Sequence, residues 1–197
     1  MLATDQWAQL LRNVSRNIDS LVSNSGHHSV RVAYWTEAIA KTLKLPDAEV
    51  QAIYWGSLVH DVGKIALPES ILKKKGPLTE TEWTYMELHP AIGANLLYAT
   101  RSLSMVAPIV LAHQEKYNGQ GYPYGLQGKD IPLGARILAV ADAYDAMTDD
   151  RPYRTPLSHE AALAELRRNR GQHFDPLIVD VFCSVLKTRS ITTQWVM

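Results

Sequence analysis

Apolar side chains recur every three to four positions along nearly the whole chain, a spacing that lays them on helix faces and predicts all-α structure. Trp7, Leu10, Leu11, Val14, Ile18 and Leu21 share one such face, behind a cap near Thr4 or Asp5. After the break at Ser23-Asn24-Ser25-Gly26, a second helix is predicted over 27–43, with Val30, Ala33, Tyr34 and Ala40 inward. Pro46 and Asp47 open a third, whose Val50, Ile53, Tyr54 and Leu58 lead into His60-Asp61-Val62-Gly63-Lys64. Thr79 and Glu82 form a capping box that launches a helix through Trp83 and Met86, which Pro90 restarts or breaks. Further helices are predicted over 103–113, over 136–148, over 161–168 from an opening near Ser158, and after Asp175-Pro176, an N-cap followed by proline at the first position. No stretch reads as a run of strands.

One segment breaks the pattern. Between 114 and 133, Gly119, Gly121, Pro123, Gly125, Gly128 and Pro132 forbid regular structure. Loops of that length inside a compact domain usually carry function. The chain of 197 residues suits one core, divided here into an N-terminal helix or linker at 1–25 and a single globular unit at 26–197.

The 20 Lys and Arg balance the 20 Asp and Glu, which argues against DNA or an anionic membrane as a partner. Asp5 and Gln6 stand where a signal peptide needs a basic start and an apolar core, and no apolar run is long enough to span a bilayer, so a soluble cytoplasmic chain is expected. Cys183 is the only cysteine, which leaves any metal to histidines and carboxylates. That ligand chemistry suits iron or manganese, with zinc also within reach. Cys183 itself, in the run Val181-Phe182-Cys183, reads as core packing.

A His-Asp pair such as His60-Asp61 is, taken alone, most often solvated or capping. Both residues can face one ion only if the helix ends there, which Gly63 permits through left-handed backbone geometry. His28, His89 and His113 each interrupt an otherwise apolar stretch, the last two at predicted helix ends. Asp142 lies within Ile137-Leu138-Ala139-Val140-Ala141 and Ala143, with no nearby charge to pair with, and burying it unpaired is costly. A metal ion would supply the missing positive charge. His27, His159 and His173 lack such settings and read as exposed or capping.

These residues resemble the HD-GYP branch of the HD-domain metal-dependent phosphohydrolases. The likeness rests on His28-Ser29-Val30-Arg31-Val32, His60-Asp61-Val62-Gly63-Lys64-Ile65-Ala66-Leu67-Pro68, His89-Pro90-Ala91-Ile92-Gly93, the loop from His113-Gln114-Glu115 to Gly121-Tyr122-Pro123, and Ala141-Asp142-Ala143-Tyr144-Asp145-Ala146-Met147 with Arg151-Pro152-Tyr153-Arg154. It implies an HD-domain helical bundle with a long Gly/Pro-rich GYP loop, acting in bacterial second-messenger signalling. The implied activity is that of a cyclic di-GMP phosphodiesterase with two divalent metal ions, whose bridged hydroxide attacks the phosphodiester to yield linear pGpG and further GMP. Carried over, His28, His60, Asp61 and Asp142 hold the first metal, and Asp61 bridges to a second held by His89 and His113. Lys64 lies against a phosphate, so Asp61 and Lys64 carry the catalytic roles. Asp145, Arg151 and Arg154 join Lys64 on the substrate side. Asp142 and Asp145, three apart on one helix face, allow one to bind metal while the other faces ligand. The loop at Gly121, Tyr122 and Pro123 shapes the site and can meet a GGDEF-domain protein, while its glycines and Tyr117, Tyr122 and Tyr124 equally suit plain turn packing. A homodimer stays open.

The chain departs from that family at two places. Gln114 stands where a second histidine usually follows the position of His113, and a neutral amide binds transition metals more weakly than imidazole. Asn24 stands where members with three metals carry glutamate, so two metals are expected. The alternative reading is a catalytically weakened module that binds a cyclic dinucleotide or a GGDEF partner without turnover. A general phosphohydrolase acting on nucleotide monoesters is a third.

Overall fold

The computed structural model describes residues 4–22, 27–149 and 155–188. In chain order the helices are α1 (Thr4–Val22), α2 (His28–Thr42), α3 (Asp47–Val59), α4 (Glu69–Leu72), α5 (Glu80–Met86), α6 (His89–Tyr98), α7 (Ala107–Leu111), α8 (Leu133–Thr148), α9 (His159–Arg168) and α10 (Pro176–Thr188). Among the described residues there is no strand, only two isolated bridges. The all-α expectation therefore holds.

Helix starts fall where the sequence places caps and prolines. The Thr79 hydroxyl accepts from the Glu82 amide while the Glu82 carboxylate accepts from the Thr79 amide, the reciprocal box expected for α5. Ser158 accepts from the Ala161 amide at α9, and Asp175 accepts from the Leu177 amide at α10. Pro90 restarts the chain as α6 instead of continuing α5. The helix predicted over 103–113 is shorter. A 3-10 turn at Arg101–Leu103 precedes α7, because Pro108 is tolerated only in a first turn and so fixes the helix start beside it.

Two apolar clusters organise the bundle. One joins Val32 and Ile39 of α2, Ile53 of α3, Ile137 and Tyr144 of α8, Leu166 of α9 and Phe182 of α10. The other joins Leu11 of α1, Trp55 and Leu58 of α3, Leu97 of α6 and Val110 of α7. α3 feeds both clusters from its two faces, so its C-terminal end, carrying His60 and Asp61, emerges at their junction. Cys183 is buried in the first cluster, as expected of a core residue. Tyr34 and Leu10, both expected inward, are instead substantially exposed.

Leu11 and Ile18 of α1 are buried, and the Asp19 carboxylate accepts hydrogen bonds from the Ser29 amide (3.0 Å) and hydroxyl (2.6 Å) in the first turn of α2. Across the division at residue 25, α1 is thus packed against α2.

The segment between α7 and α8 is irregular apart from a 3-10 turn at Gly128–Asp130, but it is firmly built. The buried Glu115 carboxylate accepts from the Tyr124 amide (2.8 Å) and the Leu126 amide (3.1 Å), cross-linking the loop to its own stem. A Cβ on Gly121 would stand 2.2 Å from the Lys116 amide nitrogen, so only glycine fits where the loop folds back. Among the described residues no helix is long and apolar enough to cross a membrane.

Candidate metal centre

Three histidines sit at helix ends and are oriented in the same way. The Nδ1 of His60 meets the carbonyl of Ser57 (2.9 Å), that of His89 meets Met86 (2.7 Å), and that of His113 meets Val110 (2.6 Å). Each partner is the carbonyl three residues back, in the last turn of α3, α5 or α7, where helix carbonyls lack intrahelical donors. A carbonyl only accepts, so each Nδ1 carries the proton and each Nε2 is left with its lone pair. Nε2 of His89 and Nε2 of His113 face one another at 3.2 Å. Two lone pairs at that distance repel unless something positive lies between or beside them.

Asp61 supplies oxygen donors to the same place. Its Oδ1 lies 3.5 Å from Nε2 of His89 and 4.0 Å from Nε2 of His113, and this buried oxygen has no hydrogen-bond partner. Its Oδ2 accepts from Lys64 Nζ at 2.7 Å and lies 3.5 Å from Nε2 of His60. Burial pushes the Asp61 carboxyl up, but the positive charge facing it, Lys64 foremost, outweighs burial and holds it well below the usual carboxylate range. His113 is driven down to about 3 by burial and by His60 and His89 beside it, and His89 is lowered chiefly by burial. Both rings are thus neutral in neutral solution.

Gly63 makes this approach possible by a different route from the one expected. It does not adopt left-handed geometry. It lies in the 3-10 turn Val62–Ala66, where a Cβ would stand 2.0 Å from the His89 carbonyl oxygen and 2.7 Å from the Gly93 amide nitrogen. Any side chain would push His60-Asp61 away from His89.

The second cluster combines His28, His60 and Asp142. Nε2 of His28 lies 3.1 Å from Asp142 Oδ1, while its Nδ1 meets Asp145 Oδ2 at 2.7 Å. Burial alone would lower the His28 pKa, yet hydrogen bonds to Asp142 and Asp145 raise it to about 10. For Asp142 burial works upward, but the hydrogen bond to His28 prevails and its carboxyl falls below the usual range. The charge partner that the surrounding sequence of Asp142 does not show is thus His28.

Asp145, which the resemblance puts on the substrate side, contacts His28 and Arg31. It is buried, with Oδ1 accepting from Arg31 Nε (2.7 Å) and Oδ2 from Arg31 Nη2 (2.9 Å) and paired with His28. The shared face of Asp142 and Asp145 is real, but it grips the two nitrogens of one imidazole. Lys64, on Asp61, stands at the edge of the centre. Tyr122 reaches it from the loop, its ring edge-on to His89 at 6.4 Å, with its hydroxyl pKa raised by burial and by the charges of Asp61, Glu87 and Asp142. Arg151, Arg154 and Asn24 lie outside the described residues. His27 is exposed, His159 bonds the Tyr144 hydroxyl, and the His173 carbonyl accepts the Tyr117 amide, so none joins the cluster.

The donors fit a pair of divalent cations. His28, His60 and Asp142 form one group whose ligand atoms lie within 4.8 Å of one another, and Asp61, His89 and His113 form another. Asp61 presents one oxygen to each group, and its orphaned Oδ1 is what a bound cation would satisfy. Sequence reasoning missed Arg31, Glu115 and Asp19. Arg31, three residues after His28, carried a signal in that helical spacing.

The chain is similar to known proteins. The family described as HD domain matches residues 11–178. A cyclic di-GMP phosphodiesterase response regulator, RpfG of Xanthomonas campestris pv. campestris, is 42% identical over 174 residues, covering 87% of this chain and 46% of the relative. The 3'3'-cGAMP-specific phosphodiesterase 2 of Vibrio cholerae is 37% identical over 175 residues, covering 88% of this chain and 34% of the relative. The chain thus spans less than half the length of either. A crystal structure of a cyclic GMP-AMP-specific phosphodiesterase of Vibrio cholerae superposes with a TM-score of 0.69 at 21% identity, covering 89% of this chain and 49% of that one, and shares the fold.

Proposed function

The chain belongs to the HD domain family, in its HD-GYP branch, and from that membership we propose that it is a metal-dependent phosphodiesterase of cyclic dinucleotides, with cyclic di-GMP as substrate, linear pGpG as first product and GMP as the further one. The observation that carries this reading is the division of Asp61, one oxygen toward each histidine group and one of them buried without a partner.

His28, His60, Asp61 and Asp142 would hold one ion, and Asp61, His89 and His113 the other, iron or manganese suiting the nitrogen and oxygen donors. Bound there, two divalent ions would supply Lewis acidity for a phosphodiester oxygen and for the attacking water. The protein's own part is to keep the ligand atoms ready. Carbonyl-anchored Nδ1 protons leave the Nε2 lone pairs of His60, His89 and His113 facing the site, while His28 must release its Nε2 proton to join them. Lys64 offers a cation for a phosphate oxygen, and Arg151 and Arg154 would add the bidentate contacts for which guanidinium is suited. Tyr122 walls the His89 side, and Tyr124, exposed on the same loop, gives a GGDEF-domain partner a surface to meet. A soluble cytoplasmic setting belongs to the same reading.

The test is anaerobic turnover of cyclic di-GMP and of cyclic GMP-AMP with iron(II) or manganese(II), products resolved by chromatography. Metal-dependent ring opening is expected, giving pGpG from cyclic di-GMP faster than the linear mixed dinucleotide from cyclic GMP-AMP. Faster cleavage of cyclic GMP-AMP reassigns the substrate. Tight binding of either dinucleotide with no product makes the chain a binding module, the outcome that Gln114 in place of a histidine favours.

A further inference from the structure

His28 differs from the other three histidines in how its ring is held. His60, His89 and His113 each use a carbonyl from the last turn of a preceding helix. His28 is the first residue of α2, behind the N-cap His27, and a side chain from α8 holds its ring: Asp145 Oδ2, 2.7 Å from Nδ1. A buried carboxylate needs compensation. Arg31 provides it side-on, with Nε to Oδ1 at 2.7 Å and Nη2 to Oδ2 at 2.9 Å. The same Nη2 lies 2.8 Å from Asp149 Oδ2, one helical turn beyond Asp145. A planar guanidinium can serve two carboxylates in this way, whereas an ammonium is a single point charge.

We propose that Arg31 is a positioning residue: through Asp145 it fixes the ring of His28 for metal, and through Asp149 it ties that ring to the end of α8. Asp149 is followed directly by residues 150–154, among them Arg151 and Arg154. One guanidinium therefore links the one metal-facing histidine among the described residues that no carbonyl anchors with Asp149 at the end of α8. The inference rests on reading His28, His60 and Asp142 as a metal position.

The test titrates the metal-free full chain with cobalt(II) under anaerobic conditions, following visible absorption and metal content per chain. The wild type is expected to fill two positions, and His28→Ala to lose one. Arg31→Lys, which keeps a charge beside Asp145, should weaken that same position by about 10- to 100-fold, the usual cost of losing a partner behind a metal-bound histidine, and alter its absorption band. The Asp61, His89 and His113 position should stay within about twofold, since Arg31 touches none of them. Asp145→Asn should produce the same selective loss, and combining it with Arg31→Lys should add little, because groups acting through one chain of contacts are not additive. Asp149→Asn, which leaves Arg31 and Asp145 in place, should give a smaller weakening at the same position and keeps the proposal testable if Arg31→Lys fails to fold.

Equal weakening of both positions, or full additivity of Arg31→Lys and Asp145→Asn, would overturn the positioning role and leave the metal reading intact. A wild-type chain whose cobalt uptake is unchanged by His28→Ala would overturn the metal reading itself, and the proposal with it.

Discussion

The two ligand groups meet at Asp61 but are assembled by opposite means. His89 and His113 are buried, neutral and pinned by carbonyls of nearby helix ends. Asp61 joins them through a turn that only glycine allows at position 63. His28 and Asp142 come from helices distant in sequence, are partly exposed, and are held by charge: imidazolium between two carboxylates, one of them clamped by Arg31. One group is built by backbone geometry and the other by electrostatics. Perturbations of packing should therefore fall on the first, and perturbations of protonation should divide the two.

Breaking the element they share should have the largest effect. Asp61→Asn removes the carboxylate that faces both groups. Metal content should fall at both positions and turnover by about a thousandfold, the upper scale for loss of one transition-state-stabilising group. Metal analysis beside steady-state rates checks this, and full metal content with normal rates would contradict the shared role.

Acid and base should then separate the groups in the metal-free protein. His113 has a folded pKa of about 3, below the 6.5 of an unfolded histidine, so the folded state binds fewer protons and stability is lost as pH falls from about 6.5 toward 3. Asp61 and Asp142, both lowered, add to the loss at the acid end. His28 behaves oppositely. Its folded pKa of about 10 gives stability that is complete below about 6.5 and lost as pH rises toward 10. Urea midpoints should thus peak near pH 6.5 with a limb on each side. Saturating manganese(II), which needs a neutral His28, should remove the alkaline limb and keep the acid one. An alkaline limb that persists with metal would place its origin away from His28.

A packing change should strike the geometric group alone. Gly63→Ala sets a Cβ against the His89 carbonyl. It should cost about 1–3 kcal/mol of stability, the usual cost of overpacking, and weaken metal at the Asp61, His89 and His113 position more than at the other. Denaturant unfolding and cobalt titration read the two parts separately.

How far each group can be read from sequence follows the same division. His89 and His113 are legible because each interrupts an apolar stretch at a predicted helix end, and His60 because Gly63 follows it at another. Asp142 is legible as a carboxylate without a local partner. What faces it is not, because helical spacing places Asp142 and Asp145 on one side of α8 without saying that His28, 117 residues from Asp145, fills the space between them. Asp145, on the substrate side by resemblance, is buried against His28 and Arg31. The sequence points to Gly63 through a left-handed turn, whereas the close approach of α6 that requires glycine there depends on tertiary packing. α1 reads as a helix or a linker because the tie from Asp19 to Ser29 lies across the sequence break at 23–26.

The smallest effect expected is a gain. The Asp61, His89 and His113 group has three protein ligands, enough for a metal with open coordination positions, and Gln114 follows His113 directly in the chain. Its backbone is already committed, the carbonyl accepting from the Tyr122 amide, and Gly121 is packed against that same carbonyl. The position is therefore held in place by the loop whatever side chain it carries. Gln114→His puts an imidazole beside the pinned group at no cost to that backbone. Metal should bind there about tenfold more tightly, the lower end of the scale on which single partners alter metal affinity, while the His28, His60 and Asp142 position should not change. Competitive titration of both proteins against a chelator measures the difference. Equal affinities would mean that residue 114 faces away from the ions and that its departure from the family pattern leaves the second metal unaffected.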